Sequence, residues 1–176
     1  MRIERSRAAM REALLDLLGE MPLEAVTGAR VAAKAQVGYA TYFRHYQNVR
    51  DLLVDTVVHL ADDLSARMLA AIAGADTAGA AKVLIETVER RRGAFLALLT
   101  GAGDETRGML TRHIIDRTAA LPDLSPAWLP ARLALRFAVA STVELLDWWL
   151  RDEPERSAEE VAALLDRLII APLRAG

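Results

Sequence analysis

Apolar residues recur along this chain at helical spacing, and no stretch alternates apolar with polar residues for long enough to make a convincing strand, so the pattern predicts an all-α fold. Met10, Ala13, Leu14, Leu17 and Leu18 form the stripe of a first helix over 5–18, which Gly19 and Pro22 end. Thr27 is placed to cap a short second helix over 28–35, whose Val31, Ala32 and Ala35 are small and apolar. A turn at 36–38 leads into a third helix over 39–46. Asn48 caps a fourth, in which Leu52, Leu53, Val57, Leu60, Leu64 and Met68 keep one face apolar as far as residue 72. An Ala- and Gly-rich break over 73–79 precedes a fifth helix over 80–100 and a sixth over 104–120. Pro122, Pro126 and Pro130 make a stiff connection to a seventh that starts at Pro130. Ser157 and Glu160 form a capping box ahead of an eighth helix reaching residue 171.

Three short helices followed by longer ones predict two parts, a module of residues 1–50 and a body of residues 51–176, connected rigidly because the boundary falls at the fourth helix. The longest apolar segment, Leu129 to Leu150, is interrupted by Arg132, Arg136, Glu144 and Asp147, which argues against a membrane span. The first apolar stretch, ALLDLL at 13–18, carries Asp16 and lacks a small-residue cleavage site, so no secretory signal is expected and the reading is cytoplasmic. Cysteine is absent, which excludes a disulfide framework and thiolate ligands.

Charge changes the picture. Residues 1–50 hold 8 basic and 5 acidic side chains while the remainder holds 14 and 19, so one end favours polyanions. Within 25–50, Arg30, Lys34, Arg44 and Arg50 meet no carboxylate, the footprint of a phosphate-binding surface or of a solvated basic face. The same region holds all three tyrosines and one of the three phenylalanines, in YATYFRHY at 39–46. On a helical wheel Tyr39, Tyr42, Phe43 and Tyr46 share an arc roughly 100° wide. A helix of two turns needs tertiary support, and Tyr42 and Tyr46 are expected to supply it by packing inward. Tyr39 and Phe43 then frame a surface bearing Ala40, Thr41, Arg44 and His45, suited to phosphates, base edges and thymine methyls. The alternative is that all four rings are core and nothing there touches DNA.

From Ala13 to Leu53 the chain resembles the DNA-binding domain of the tetracycline-repressor (TetR-like) family, whose pattern reads approximately T-x-x-x-I-A-x-x-A-G-V-S-x-x-T-[LF]-Y-x-H-F-x-[NS]-K-x-x-L-L. Thr27, Val31-Ala32, Ala35-Gln36-Val37-Gly38, Thr41-Tyr42-Phe43, His45-Tyr46, Asn48 and Leu52-Leu53 follow it in register without a gap. Gln36 stands where the pattern has glycine, Gly38 for serine, Phe43 for tyrosine and Val49 for lysine. Gln36 is therefore expected to adopt a left-handed conformation or the turn to differ. The resemblance implies a helix-turn-helix that contacts double-stranded operator DNA through Thr27, Arg30, Tyr39, Ala40, Thr41, Phe43, Arg44, His45 and Arg50. It further implies a helical ligand-binding and dimerising body, and a transcriptional regulator, most often a repressor, released by a small-molecule effector. The departures keep open a second reading, a helical partner-binding module that has lost sequence-specific DNA recognition.

In the body, Leu84, Val88, Phe95 and Leu99 form a face around Arg92, and Leu133, Phe137, Ala140 and Trp148 form another around Glu144. Charges on apolar faces are costly unless paired, so Arg92, Glu144 and His113 are either structural partners, snorkelling side chains, or polar contacts of an apolar cavity. With Phe95, Trp148 and Trp149 they make the expected effector site. Val161, Leu164, Leu165, Leu168 and Ile169, with Leu135, Val139, Val143, Leu146 and Leu150, offer more apolar surface than one core hides, which predicts a homodimer. His45, His59 and His113 lie too far apart to form a metal motif, and neither metal nor cofactor is expected. GAGDETRG at 101–108 follows a helix and lacks the phosphate-loop lysine, no G-x-S-x-G elbow exists, and no nucleophile, base and orienter assemble, so the chain is not read as an enzyme.

Overall fold

A computed structural model of the chain describes residues 2–101, 108, 112, 113, 115, 116 and 127–173. Among these the helices are α1 (Arg2–Glu20), α2 (Gly28–Lys34), α3 (Tyr39–His45), α4 (Val49–Ala73), α5 (Thr77–Arg90), α6 (Arg92–Gly101), α7 (Ala131–Arg151) and α8 (Ala158–Leu165), and there is no strand. A 3-10 turn, Leu23–Ala25, lies between α1 and α2, and a π-helical turn, Asp166–Ile170, follows α8. Most of the sixth helix expected over 104–120, with Met109 and Leu110, and the prolines at 122 and 126 lie outside the described residues.

The described residues divide into two compact units, one drawn from Met1–Leu60 and Arg91–Thr106, the other from Ala61–Arg90 and Arg107–Gly176. In the first, α1 packs on α2 and α6, and α2 packs on α3. The expected stripe of α1, Met10, Ala13, Leu14, Leu17 and Leu18, is buried, together with Val31 and Ala32 of α2, Tyr42 of α3 and Leu52, Leu53 and Val57 of α4. α6 comes so near α1 that a Cβ at Gly93 would stand 3.0 Å from the Gly19 Cα, and Arg91 pairs with Glu12 beside that contact. In the second unit, α5 packs on α8 and on the π-helical turn. Its core holds Ala81, Leu84, Ile85 and Val88 of α5, Trp149 and Leu150 of α7, and Val161 and Leu165 of α8.

Side-chain caps fix three of the helix starts, those of α2, α4 and α8. The Thr27 hydroxyl accepts from the Arg30 N–H at 3.3 Å, and the Asn48 side-chain oxygen accepts from the Asp51 N–H at 2.9 Å. Ser157 and Glu160 complete their capping box. One expected helix is corrected: the segment 80–100 is two helices separated at Arg91, so Phe95 belongs to the first unit and not to a face shared with Leu84 and Val88. The described residues contain no helix long and apolar enough to cross a membrane and no cluster of potential metal ligands.

Candidate nucleic-acid interface

α3 is two turns long and divides as its sequence predicts. Tyr42 is 1% exposed and Tyr46 4%, whereas Tyr39 is 56% and Phe43 50% exposed. Ala40 and Arg44 lie at the surface, and Thr41 and His45 are half-buried. Tyr42 and Phe43 meet edge to face at 5.3 Å between ring centres, as do Tyr39 and Phe43 at 4.8 Å, so the exposed rings are braced by the buried one. The Tyr42 ring lies over Gly28, the first residue of α2: a Cβ there would stand 2.7 Å from the Tyr42 Cε1. Burial pushes the Tyr42 phenol above its ordinary pKa, and its hydroxyl has no hydrogen-bond partner among the described residues.

The turn before α3 has the hydrogen bonds of a Schellman motif: the Val37 N–H donates to the Ala32 carbonyl at 3.0 Å and the Gln36 N–H to the Ala33 carbonyl at 3.1 Å. Gln36 sits at the left-handed position with φ 54°, the conformation its glycine-like place in the pattern demands. Gly38 caps α3 without a side-chain bond. After α3, the Asp51 carboxylate accepts from the Gln47 N–H at 3.1 Å while Asn48 caps α4, so two bonds fix the chain where it leaves the helix.

Basic groups surround this face. Arg30 and Arg50 are exposed, as is Thr27. The Arg30 Nη1 stands 3.0 Å from the Met21 sulfur, and Lys34 pairs with Glu20 at 2.5 Å, which ties that ammonium to the protein. Sequence reasoning missed a part-buried group behind the face, Arg11, Asp55 and the Tyr46 hydroxyl. Part of the signal was available, since Arg11 sits beside Leu18 and Leu15 on the apolar side of α1, whereas Asp55 lies off the stripe of α4.

The residues expected to bind an effector do not fall together in the chain's packing units. Arg92 and Phe95 belong to the first, and His113, Glu144, Trp148 and Trp149 to the second. Glu144 is exposed, so the premise of a charge buried on an apolar face fails for it. Trp149 is fully buried and donates its indole N–H to the Arg156 carbonyl at 2.9 Å, a core role. Trp148 is half-buried beneath the Arg156 guanidinium at 5.4 Å. His113 faces Asp62 of α4 at 3.1 Å, a partner the sequence did not suggest. An open recess of about 260 Å³ lined by Arg156, Glu160, Ala163, Leu164 and Arg167 includes none of the six.

No family model matches the sequence, and no curated protein is significantly similar to it. Solved structures are similar in fold. FadR of Bacillus halodurans, a regulator of fatty acid degradation, has a TM-score of 0.74 at 12% identity over 96% of each chain. FadR of Bacillus subtilis, solved in complex with stearoyl-CoA, has a TM-score of 0.68 at 15% identity, covering 94% of this chain and 98% of that one. A TetR transcriptional regulator from Rhodococcus sp. RHA1 has a TM-score of 0.64 at 20% identity over 98% and 99%. The chain has the all-helical fold of TetR-type regulators, the fold its helix-turn-helix pattern implies.

Proposed function

We propose that this protein is a DNA-binding transcriptional regulator that works as a homodimer and is a repressor released by a small-molecule ligand. The observation that carries the reading is the division of α3: Tyr42 and Tyr46 are spent on the core, which leaves Tyr39, Ala40, Phe43 and Arg44 facing outward on a fold used by regulators. Residues 1–50 act as the DNA-contacting module and 51–176 as the body that senses and dimerises. Arg44 and Thr41 reach base edges or phosphates, Tyr39 and Phe43 contact sugars and thymine methyls, and Thr27, Arg30, His45 and Arg50 contact the backbone.

Release follows if the effector prefers a state in which the two recognition helices are not at groove spacing, since a ligand shifts an equilibrium only by its differential affinity. His113 and Trp148, both half-buried, are the effector contacts we retain from the second unit. The B. subtilis neighbour's stearoyl-CoA makes acyl-CoA thioesters the first class to try.

The test is selection of duplexes from a random-sequence library by the wild-type protein, followed by titration of Arg44→Ala on the selected duplex at fixed salt. The substitution is expected to cost about 1–3 kcal/mol of binding while leaving the melting temperature unchanged. Failure to enrich any duplex, or unchanged affinity of the variant, would overturn the assignment.

A further inference from the structure

Behind α3 lies a set of charged and hydroxyl groups that apolar packing alone does not require. Arg11 is 6% exposed within α1. Its Nη2 donates to Glu4 at 2.7 Å and its Nη1 to the Asp55 Oδ2 at 3.0 Å. The same carboxylate oxygen accepts from the Tyr46 hydroxyl at 2.6 Å. Arg7 pairs with the other Asp55 oxygen, and its Nε reaches the Tyr46 oxygen at 3.4 Å. Three elements therefore meet at one point: α1 through Arg7 and Arg11, α4 through Asp55, and the end of α3 through Tyr46, its C-cap residue.

The protonation states suit this arrangement. Burial opposes ionisation of Asp55, but the hydrogen bonds from Tyr46 and Arg11 and the charges of Arg7 and Arg11 outweigh it, and the carboxyl stays below its ordinary value of 3.8. Burial, and then the bond to Asp55, push the Tyr46 hydroxyl up to about 12, so it keeps its proton and acts as donor. An aromatic ring in a core tolerates small rotations about its contacts, whereas a short hydrogen bond to a carboxylate fixes a direction. α3 has only 7 residues, too few to hold its own axis.

We propose that Tyr46 and Asp55 are positioning residues for DNA recognition: the Tyr46 to Asp55 hydrogen bond, backed by Arg7 and Arg11, sets the angle at which α3 presents Tyr39, Ala40, Phe43 and Arg44 to a duplex. This rests on the DNA-binding reading above. Neither residue touches DNA. Their part is played through the orientation of those that do, so their loss affects recognition of sequence and spares the attraction to phosphates.

Tyr46→Phe removes the hydroxyl, keeps the ring in the core and leaves Asp55 paired with both arginines, so the variant folds. Two probes are titrated at one salt concentration well below the melting temperature: the duplex selected by the wild-type protein and an unrelated duplex of equal length. Tyr46→Phe is expected to lose about tenfold on the selected duplex, the size of one base-edge contact. It is expected to bind the unrelated duplex as before, because non-specific affinity follows phosphate neutralisation. Asp55→Asn is expected to reproduce the loss of discrimination, with the double variant adding little. A Tyr46→Phe protein with unchanged preference for the selected duplex, or with equal losses on both, would overturn the positioning role. If the wild-type protein enriches no duplex, the DNA-binding reading itself falls first and takes this one with it.

Discussion

Gln36 shows how one residue reveals the turn it occupies. At φ 54° it holds a conformation that costs a side-chain-bearing residue on the order of 1–2 kcal/mol. Glycine would adopt it freely while losing more backbone entropy on folding. Gln36→Gly is therefore expected to stabilise the protein by about 0.5–1 kcal/mol, read as a raised denaturant midpoint at unchanged slope. A lower midpoint would mean that the Gln36 side chain earns its place by contacts the turn geometry does not reveal. The strain was legible in the sequence because the residue falls in register with a glycine of the helix-turn-helix pattern. The Tyr46 contacts were not: Tyr46 meets Asp55 across 9 positions, Arg7 meets Tyr46 across 39, and Arg7 meets Asp55 across 48. Local periodicity cannot report such pairs, although a charge on an apolar stripe says that some partner must exist.

Among elements, the starts after Thr27, Asn48 and Ser157 were legible in the sequence because each of these side chains caps its helix within a single turn. The segment 80–100 was misread as one helix because its break at Arg91 has neither proline nor glycine before it, and tertiary packing of α6 on α1 takes over where local signals are silent. The junction of α2 and α3 gives an element-scale test. Ala is a better helix former than Gly, so propensity alone says Gly28→Ala should stabilise. The Tyr42 Cε1 only 2.7 Å from the added carbon says the reverse, because that ring is buried and has no room to retreat. Overpacking is expected to win, with a loss of about 1–3 kcal/mol and weaker binding to the selected duplex as Tyr42 tilts α3. Gly19→Ala, where a Cβ meets nothing within 4 Å, serves as the control. Equal stability of the two variants would show that α3 yields to α2 at little cost.

At the scale of the whole molecule, the proposed homodimer turns on which face of α7 is left outside. That helix carries apolar residues nearly all round, and of the expected dimer face the residues Leu135, Val139 and Val143 are half-buried. Leu146 and Leu150 are buried within the chain, whereas Leu133 is 54% and Phe137 56% exposed, one turn apart on the same side. Val161, Leu165 and Ile169, also assigned to the dimer, are likewise core, while Leu168 is 62% exposed. Exposed apolar side chains in register mark an interface. In a two-fold interface a residue near the axis meets its own copy, so Phe137→Glu would set like charges against each other across it. The wild-type protein is expected to sediment as a dimer of its 19.2 kDa chain, and Phe137→Glu as a monomer. The melting temperature of the wild type should rise with protein concentration and that of the variant should not. A monomer presents one recognition helix in place of two, so affinity for a palindromic duplex should fall as well. A Phe137→Glu protein that remains dimeric would move the interface to another face, and a wild type that is monomeric at micromolar concentration would remove the dimer from the proposed function.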